Sequence, residues 1–461
     1  MKLALLIIYA VIGTVPLVFA AVQPWIWSAY SVAVFIAFVL VLWSKQNPPY
    51  LTRNRFFFFS VVLFFAVTLF QFLPLPPRAL SFLSPYRYHL LEKCRVLIDA
   101  PVSWQSISYS PSSSLSWWIF LLSLLIFFLV LRKVIPYRRH LHTVILIVII
   151  TGSFEAFYGL LQALIPSLGV LWVDTDYNGC ARGTYICRNH FAGFLEMVWP
   201  LALGYTMSYG DWHGREEYHE SGNKRLLRKV ISSDRLHRQV FLVLIIGIML
   251  LALLFSRSRA GITGAGVGLL TFTLLVYYAN RRLSKGFWVI IGAVLLLLFV
   301  YGNQMGFDPI IERFMVILEG NIYRTDLWRD GIAIVKDHPL GIGLGNLHQV
   351  MPVYLTSTVS EVTVFSHIHN DYLQVLIEAG WPGFLILVSS FIVFIVISIG
   401  RIVKLNLYEQ PSRFFIGAGA LSGLISMAFH SFFDFNLQIP ANCFYFVLLI
   451  CLVYVCGFRK D

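Results

Sequence analysis

Long apolar runs alternate with short polar segments along almost the whole chain. Most runs approach the roughly 20 residues that a helix needs to cross the hydrocarbon core of a bilayer. Arg, Lys, Asp, Pro and Gly are concentrated between the runs, where turns are expected. The pattern therefore predicts an all-α integral membrane protein with about twelve transmembrane helices. The predicted spans are residues 3–21, 25–43, 56–73, 117–135, 144–165, 191–207, 240–255, 261–278, 287–301, 382–400, 414–430 and 441–456.

The spans divide the chain into three parts. Residues 1–301 are expected to form transmembrane helices 1–9 with short loops, and residues 382–461 helices 10–12. Residues 302–381 make the longest polar excursion and are predicted to be a large, mostly helical outer loop. The leading apolar run continues into a second span, which favours a membrane helix over a cleaved signal peptide.

Composition and charge support a multi-pass topology. The 461 residues are 58% hydrophobic and only 13% charged, with a formal net charge of +12. With both termini in the cytoplasm, the inner segments hold about 23 of the 35 Lys and Arg residues. This bias follows the positive-inside rule. The basic charge is therefore read as a topology signal and not as a nucleic-acid footprint.

Two cysteines lie in one predicted outer loop. Cys180 and Cys187 are close enough in sequence to form a disulfide, and an outer compartment permits oxidation. Both the bonded and the free state remain open. No Cys-x-x-Cys pair and no zinc-ligand spacing occurs in the sequence.

Arginines on the outer face are unexpected under the positive-inside rule. Arg257 and Arg259 sit in a short turn between two spans, and Arg182, Arg188 and Arg324 belong to the same side. Such arginines either extend to the interface or face a polar cavity. Guanidinium groups match phosphate geometry, so the cluster suggests an anion site for a lipid pyrophosphate.

The outer loop contains one clear amphipathic helix. Apolar residues recur at spacings of three and four between residues 321 and 337, which predicts a helix lying along the membrane interface. Arg324 is one turn before Trp328 and should share its inward face. The apolar positions are Leu327, Trp328, Ile332 and Val335.

A glycine-rich run, HPLGIGLGNL, follows this helix. It comes after a helix instead of a strand and lacks the Lys-Ser/Thr of a phosphate-binding loop. The sequence therefore predicts a tight turn near the membrane and not a nucleotide site.

His369 opens a short helix at the end of the outer loop. Asn370 or Asp371 can cap the helix, and Gly380 is expected to end it. An imidazole can accept a proton near neutral pH, whereas a lone histidine also commonly serves packing alone. His367, two residues earlier, is expected to point elsewhere.

Several of these motifs, taken in order, resemble those of a known bacterial enzyme family. His369-Asn370, nine residues, then Gly380-x-x-Gly383 resembles the motif of the bacterial O-antigen ligase family, which includes polymerase-like and protein O-oligosaccharyltransferase enzymes. Ser258-Arg259-Ala260 is similar to that family's arginine between two spans, and Arg324 to its second arginine. The stretch RGTYICRNHFAGFLEMVWPLALG also looks like a family segment. The resemblance covers roughly residues 182–383, with 430–440 as a weaker addition.

The resemblance implies a GT-C-like, metal-independent glycosyltransferase without a cofactor. Its donor would be an undecaprenyl-diphosphate-linked glycan, and its acceptor a glycolipid, a glycan or a protein. It would sit among the lipids of the bacterial inner membrane with its active site facing the periplasm. Arg259 and Arg324 would stabilise the leaving diphosphate, and His369 would activate the acceptor hydroxyl. Arg257 is two residues before Arg259, so either arginine of that turn could be the functional one. Supporting substrate contacts are expected from Arg257, Arg188, His190, Arg182, Asn370, Trp328 and His367.

Three functions remain open from the sequence. A ligase would join a preassembled polymer to lipid A-core or a similar acceptor, and a polymerase or oligosaccharyltransferase would extend a glycan or modify a protein. A polysaccharide transporter without enzyme activity is the third. Transporters commonly contain an internal repeat or paired broken helices, and the sequence shows no clear repeat.

Overall fold

The structure is a computed structural model of the 461-residue chain. It describes residues 1–44, 55–98, 103–135, 138–171, 173, 179–208, 234–280, 322–356, 366–407 and 409–458, with isolated positions between 288 and 300. Most of the predicted span 287–301 and most of the charged inner segment 211–239 lie outside the described residues.

Helices account for nearly all regular structure in these ranges, as the apolar runs predict. Three short 3₁₀ turns, Phe19–Ala21, Pro166–Leu168 and Asn436–Gln438, complete the elements. The α-helices are α1 (Lys2–Thr14), α2 (Pro24–Trp43), α3 (Arg55–Phe72), α4 (Pro77–Leu83), α5 (Pro85–Ile98), α6 (Pro111–Val134), α7 (Arg138–Leu164), α8 (Arg188–Ser208), α9 (Asp234–Phe255), α10 (Arg259–Asn280), α11 (Ile322–Asp337), α12 (Leu347–Tyr354), α13 (Asp371–Val403), α14 (Pro411–His430) and α15 (Pro440–Phe458).

Eight of the described helices are long and apolar enough to cross a membrane, which confirms a multi-pass membrane protein. They are α2, α6, α7, α9, α10, α13, α14 and α15. The expected first and third spans are instead the shorter apolar helices α1 and α3. The expected sixth corresponds to α8. The total of twelve and the GT-C-like fold are not confirmed.

Helix α8 is the centre of the bundle. Its side chains are buried from His190 to Met207, and it packs most extensively against α14. The two backbones approach closely: a Cβ on Gly419 would lie 2.4 Å from the Pro200 carbonyl oxygen. Small residues at such contacts are the usual means of close helix packing in membranes, where hydrophobic driving force between helices is weak.

A second, smaller core lies in the predicted outer loop. Helices α11 and α12 and the first segment of α13 enclose it, and its buried side chains include Leu327, Ile334, Val350 and Ile377. The predicted helix 321–337 is thus present as α11. Its expected apolar face was wrong at one position. Ile332 is exposed, and Ile334, seven residues after Leu327 and on the same helix face, takes the buried place.

The glycine-rich turn after α11 packs against a break in α13. Gly380 has φ 68° and ψ 178°, so α13 is interrupted there, as the sequence predicts. The Gly343 amide donates to the Glu378 carbonyl at 3.0 Å, and the Trp381 amide donates to the Pro339 carbonyl at 3.0 Å. The break places the first segment of α13, with His369 before it, beside the outer-loop core. The predicted domain limit at residue 381 falls inside α13.

Candidate functional site

Asp434 is the centre of the site. It lies in the turn between α14 and α15 and is 1% exposed. Its Oδ1 lies 3.1 Å from Nδ1 of His369 and 3.9 Å from Nε2 of His190. Its Oδ2 accepts a hydrogen bond from the Asn189 amide at 2.5 Å. The buried Asp434 carboxylate therefore connects three parts of the fold, which are α8, His369 just before α13, and the α14–α15 turn.

Arg324 reaches the same turn from α11. Its Nη1 donates to the Phe433 carbonyl at 2.7 Å, and its Nη2 lies 3.8 Å from Oδ2 of Asp434. The side chain remains 30% exposed. The inward orientation predicted from its spacing to Trp328 is therefore confirmed, and one edge of the guanidinium remains open to a ligand.

Asp434 is held as a carboxylate. Burial would raise its pKa, but the hydrogen bond from His369 and the electrostatic interactions with His190 and His369 bring the pKa below its ordinary value. An ionised carboxylate only accepts hydrogen bonds, so Nδ1 of His369 must carry the hydrogen between them. The neutral imidazole then has its lone pair on Nε2, which has no hydrogen-bond partner within the described residues. His369 is 29% exposed, so that lone pair is accessible.

The backbone at His369 is strained. Its φ of 52° is in the left-handed region, which non-glycine residues rarely occupy outside constrained sites. The neighbours fix it from both sides. The Asn370 side chain caps α13 by accepting from the Leu373 amide at 3.0 Å, and Trp328 Nε1 donates to the Ile368 carbonyl at 3.0 Å. Asn370 and Trp328 thus orient His369 in this structure, while their predicted substrate contacts remain predictions.

Phe435 is surrounded by three imidazoles. Its ring centroid lies 4.2 Å from His367, 4.5 Å from His190 and 4.9 Å from His369. His367 stacks on the phenyl ring, and its Nδ1 lies 3.1 Å from Nε2 of Gln374. Burial lowers the pKa of His367 to about 4, so this ring is neutral at pH 7. His367 therefore supports the packing beside His369 and has its own partner.

Asp371 fastens α13 to the same turn. Its Oδ2 accepts from the Ser431 hydroxyl at 2.9 Å and from the Leu437 amide at 3.0 Å. Its own amide donates to the Ser431 carbonyl at 2.9 Å. These contacts lock the start of α13 onto the segment that carries Asp434, which fixes the imidazole–carboxylate geometry.

The second arginine group occupies the turn between α9 and α10. Arg257 has φ 55°, and the Ser258 hydroxyl caps α10 by accepting from the Gly261 amide at 3.2 Å. Arg259 is the first residue of α10. Across the ranges that the structure describes, the guanidinium groups of Arg257 and Arg259 make no hydrogen bond and no ion pair. Two partly buried cations are therefore available to an anion.

The remaining predicted residues lie just before α8. Arg182 is almost completely buried, and its backbone amide lies 3.3 Å from Oε1 of Gln162. Arg188 begins α8, and its Nη1 donates to Sγ of Cys180 at 3.3 Å. Cys180 and Cys187 are both free thiols in this structure. Substrate contacts by Arg182 and Arg188 stay predictions.

The structure thus joins four of the predicted residues, His190, Arg324, His367 and His369, in one cluster. It also supplies residues that sequence reasoning did not assign: Asp434, Asn189 and Phe435. Asp434 and Phe435 belong to the 430–440 segment, where a single acid between two apolar spans is the signal that could have identified them. Across the described residues, no group of three or more His, Cys, Asp or Glu side chains could hold a metal ion.

Comparison with known families decides the assignment of the central region. Residues 242–388 match the family model described as O-Antigen ligase. This region is similar to O-antigen ligases. The match includes Arg257, Arg259, Arg324 and His369, and it supports the family that the sequence motifs suggest. No curated protein matches the chain. The matched region ends before Asp434, which the fold brings back to it.

Proposed function

We propose that the protein is a glycosyltransferase of the O-antigen ligase type in the bacterial inner membrane. It transfers a glycan from undecaprenyl diphosphate to an acceptor hydroxyl of lipid A-core or a similar glycolipid. The observation that carries the proposal is the His369–Asp434 pair with Arg324 beside it, built largely from the region that is similar to O-antigen ligases. The excess of basic residues in the predicted inner loops supports a site facing the periplasm.

The proposed reaction begins at His369. Nε2 removes the proton of the acceptor hydroxyl, and the hydroxyl oxygen attacks the anomeric carbon of the donor sugar. The bond between that carbon and the diphosphate oxygen breaks, and the diphosphate leaves with the electron pair. Asp434 stabilises the imidazolium that forms at His369, because its carboxylate already accepts the Nδ1 hydrogen bond.

The leaving diphosphate requires fixed positive charge. Arg324 offers an exposed guanidinium edge beside Asp434, and Arg259 and Arg257 are cations without protein partners among the described residues. Preorganised charges of this kind stabilise developing negative charge more effectively than water does. We assign Arg259 and Arg324 to the diphosphate, and Arg257 to a supporting contact. A cationic site of this kind is proposed to act without a metal ion.

Arginine substitutions test the diphosphate role. We expect Arg259→Ala and Arg324→Ala each to reduce transfer by at least about a hundredfold, as loss of a preorganised donor typically does. Lys at either position should restore little activity, because it cannot make a bidentate contact. Transfer is measured with purified protein as the rate at which glycan leaves the lipid diphosphate.

Arg329→Ala is the matched control on the same helix as Arg324. Its side chain is 76% exposed and pairs with Asp326 at 3.3 Å on the surface, a contact expected to contribute little. Arg329→Ala should therefore keep wild-type transfer. Wild-type rates in both Arg259→Ala and Arg324→Ala, at normal amounts of folded protein, would eliminate the diphosphate site.

A further inference from the structure

A buried acid–imidazole pair lies deeper in the bundle, outside the Asp434 cluster. Glu196 of α8 and His430, the last residue of α14, are both completely buried. Oε1 of Glu196 lies 2.7 Å from Nδ1 of His430. The Ser426 hydroxyl lies 2.9 Å from Oε2 of Glu196 and 2.6 Å from the Gly264 carbonyl of α10. The pair therefore contacts three helices.

Packing alone does not account for this pair. Ionisable groups inside a membrane bundle are costly, and hydrophobic residues of similar volume are often at least as stable at such positions. Polar groups that persist there commonly serve a function or fix one arrangement of the helices. The proposed reaction uses neither Glu196 nor His430, so their role must be sought in what they hold together.

Helix α10 rests directly on the Glu196 carboxylate. A Cβ on Gly264 would lie 2.3 Å from Oε2 of Glu196, and a Cβ on Gly261 would lie 3.3 Å from Oε1. The distance at Gly264 leaves no room for a side chain beside the acid, and a Cβ on Gly261 is blocked by Cβ of Ala192 at 2.5 Å, so both glycines let α10 approach α8 closely. Arg259 is only two residues before Gly261. The packing contact between α10 and the Glu196 carboxylate therefore fixes the position of Arg259.

The other partner leads to the Asp434 cluster. His430 ends α14 four residues before Asp434, and the turn between them is fixed by the Ser431 contacts to Asp371. Asn189, which donates to Asp434, lies two turns before Glu196 on α8. The hydrogen-bonded Glu196–His430 pair therefore links α10, which starts at Arg259, to the turn that carries Asp434.

We propose that Glu196 and His430 are positioning residues that set the distance between Arg259 and the His369–Asp434 pair. The proposal rests on the proposed function, in which Arg259 holds the diphosphate and His369 activates the acceptor. The two groups belong to separate helices, and a misplacement of about 1 Å can reduce a rate by about a hundredfold. The pair keeps that separation constant without contacting the substrate.

Two glycines of α10 provide the sharpest test. Gly264→Ala would place a methyl group against Oε2 of Glu196, whereas a Cβ on Gly266 meets nothing within 4 Å. We expect Gly264→Ala to reduce turnover by about tenfold to a hundredfold, and Gly266→Ala to keep the wild-type rate. Wild-type turnover in folded Gly264→Ala would overturn the proposal.

A distance measurement separates positioning from the chemistry. Spin labels at Thr263→Cys and Phe432→Cys, both exposed positions, report the separation of α10 from the α14–α15 turn after Cys94→Ser removes the exposed native thiol. The measured distance should shift in Gly264→Ala and stay unchanged in Gly266→Ala. An unshifted distance in Gly264→Ala contradicts the proposal. Full transfer in His369→Ala would refute the proposed function and leave the distance result intact.

Glu196 variants distinguish positioning from a general need for folding. Glu196→Gln keeps the side-chain shape and hydrogen-bonding capacity, so it should restore most of the turnover that Glu196→Leu loses. Turnover is compared between preparations of the two variants that have equal melting temperatures, so that a difference in folding does not contribute. Equal losses in the two variants would contradict positioning by geometry, and so would wild-type turnover in Glu196→Leu. Should Glu196→Leu not fold, the glycine pair decides, since Gly264→Ala retains both Glu196 and His430.

Discussion

His369→Ala is expected to reduce glycan transfer by at least about a hundredfold, the usual contribution of a general base, while binding of the lipid-linked donor is largely retained. The imidazole is the only group in the Asp434 cluster with an accessible lone pair directed by a carboxylate. The arginines hold the donor in this account, so donor binding does not depend on His369. Transfer is measured in single turnover, and donor binding separately with the purified variant.

His367→Ala is the matched control for this prediction. Its pKa of about 4 leaves it neutral at pH 7, and its Nδ1 is already paired with Gln374. The substitution removes a ring stacked on Phe435 and should lower activity only a few-fold through packing. Near-full activity in His369→Gln would contradict proton abstraction by His369. A larger loss in His367→Ala than in His369→Ala would mean that His367, two residues earlier, is the critical imidazole.

Asp434→Asn is expected to reduce transfer by at least about a hundredfold, because the carboxylate both orients His369 and stabilises its protonated form. The amide of Asn has nearly the same shape but no charge, so the loss reports charge more than packing. Asp434→Ala should lose as much transfer and also stability, because it leaves Asn189, Arg324 and His369 without their shared partner. Single-turnover transfer and a melting curve measure the two effects.

Asp326→Asn is the control, because the exposed Arg329 is the ion-pair partner of Asp326 among the described residues. The lowered pKa of Asp434 also gives the sign of a pH effect. The charged form stabilises the fold above the ordinary pKa of the carboxyl group, and this contribution is lost as pH falls through the lowered value. The stability gap between wild type and Asp434→Asn should therefore narrow in strong acid. Equal transfer by Asp434→Asn and wild type at neutral pH would contradict the pairing.

Sequence reasoning succeeded where the determinants are local. Three predicted features depend on residues within one or two helical turns, and all three are present. They are the cap by Asn370, the helix break at Gly380 and the inward orientation of the Arg324 side chain. Ile332 was misplaced because it is five residues after Leu327, whereas Ile334 and Val335, seven and eight residues after Leu327, share its buried face. Eight of the about twelve predicted spans are long apolar helices among the described residues, and the remaining spans stay predictions.

The residues that sequence reasoning did not assign depend on long-range packing. Asp434 is separated by 65 positions from His369 and by 245 from Asn189. Periodicity carries no information about such pairs. Glu196 looked like one acid in an apolar run, and its partner His430 lies 234 positions away. Only the packing of α8 against α14 brings these groups together.

Reconstituted transfer tests the central claim most directly. Purified protein in liposomes is given an undecaprenyl-diphosphate-linked glycan and a lipid A-core acceptor, with EDTA present, and the products are identified by mass spectrometry. The account predicts one undecaprenyl diphosphate, with both phosphates retained, for each glycan joined to the acceptor, and at least about a hundredfold slower product formation with His369→Ala. Glycan that stays on its lipid, or that is merely moved across the bilayer, would contradict it.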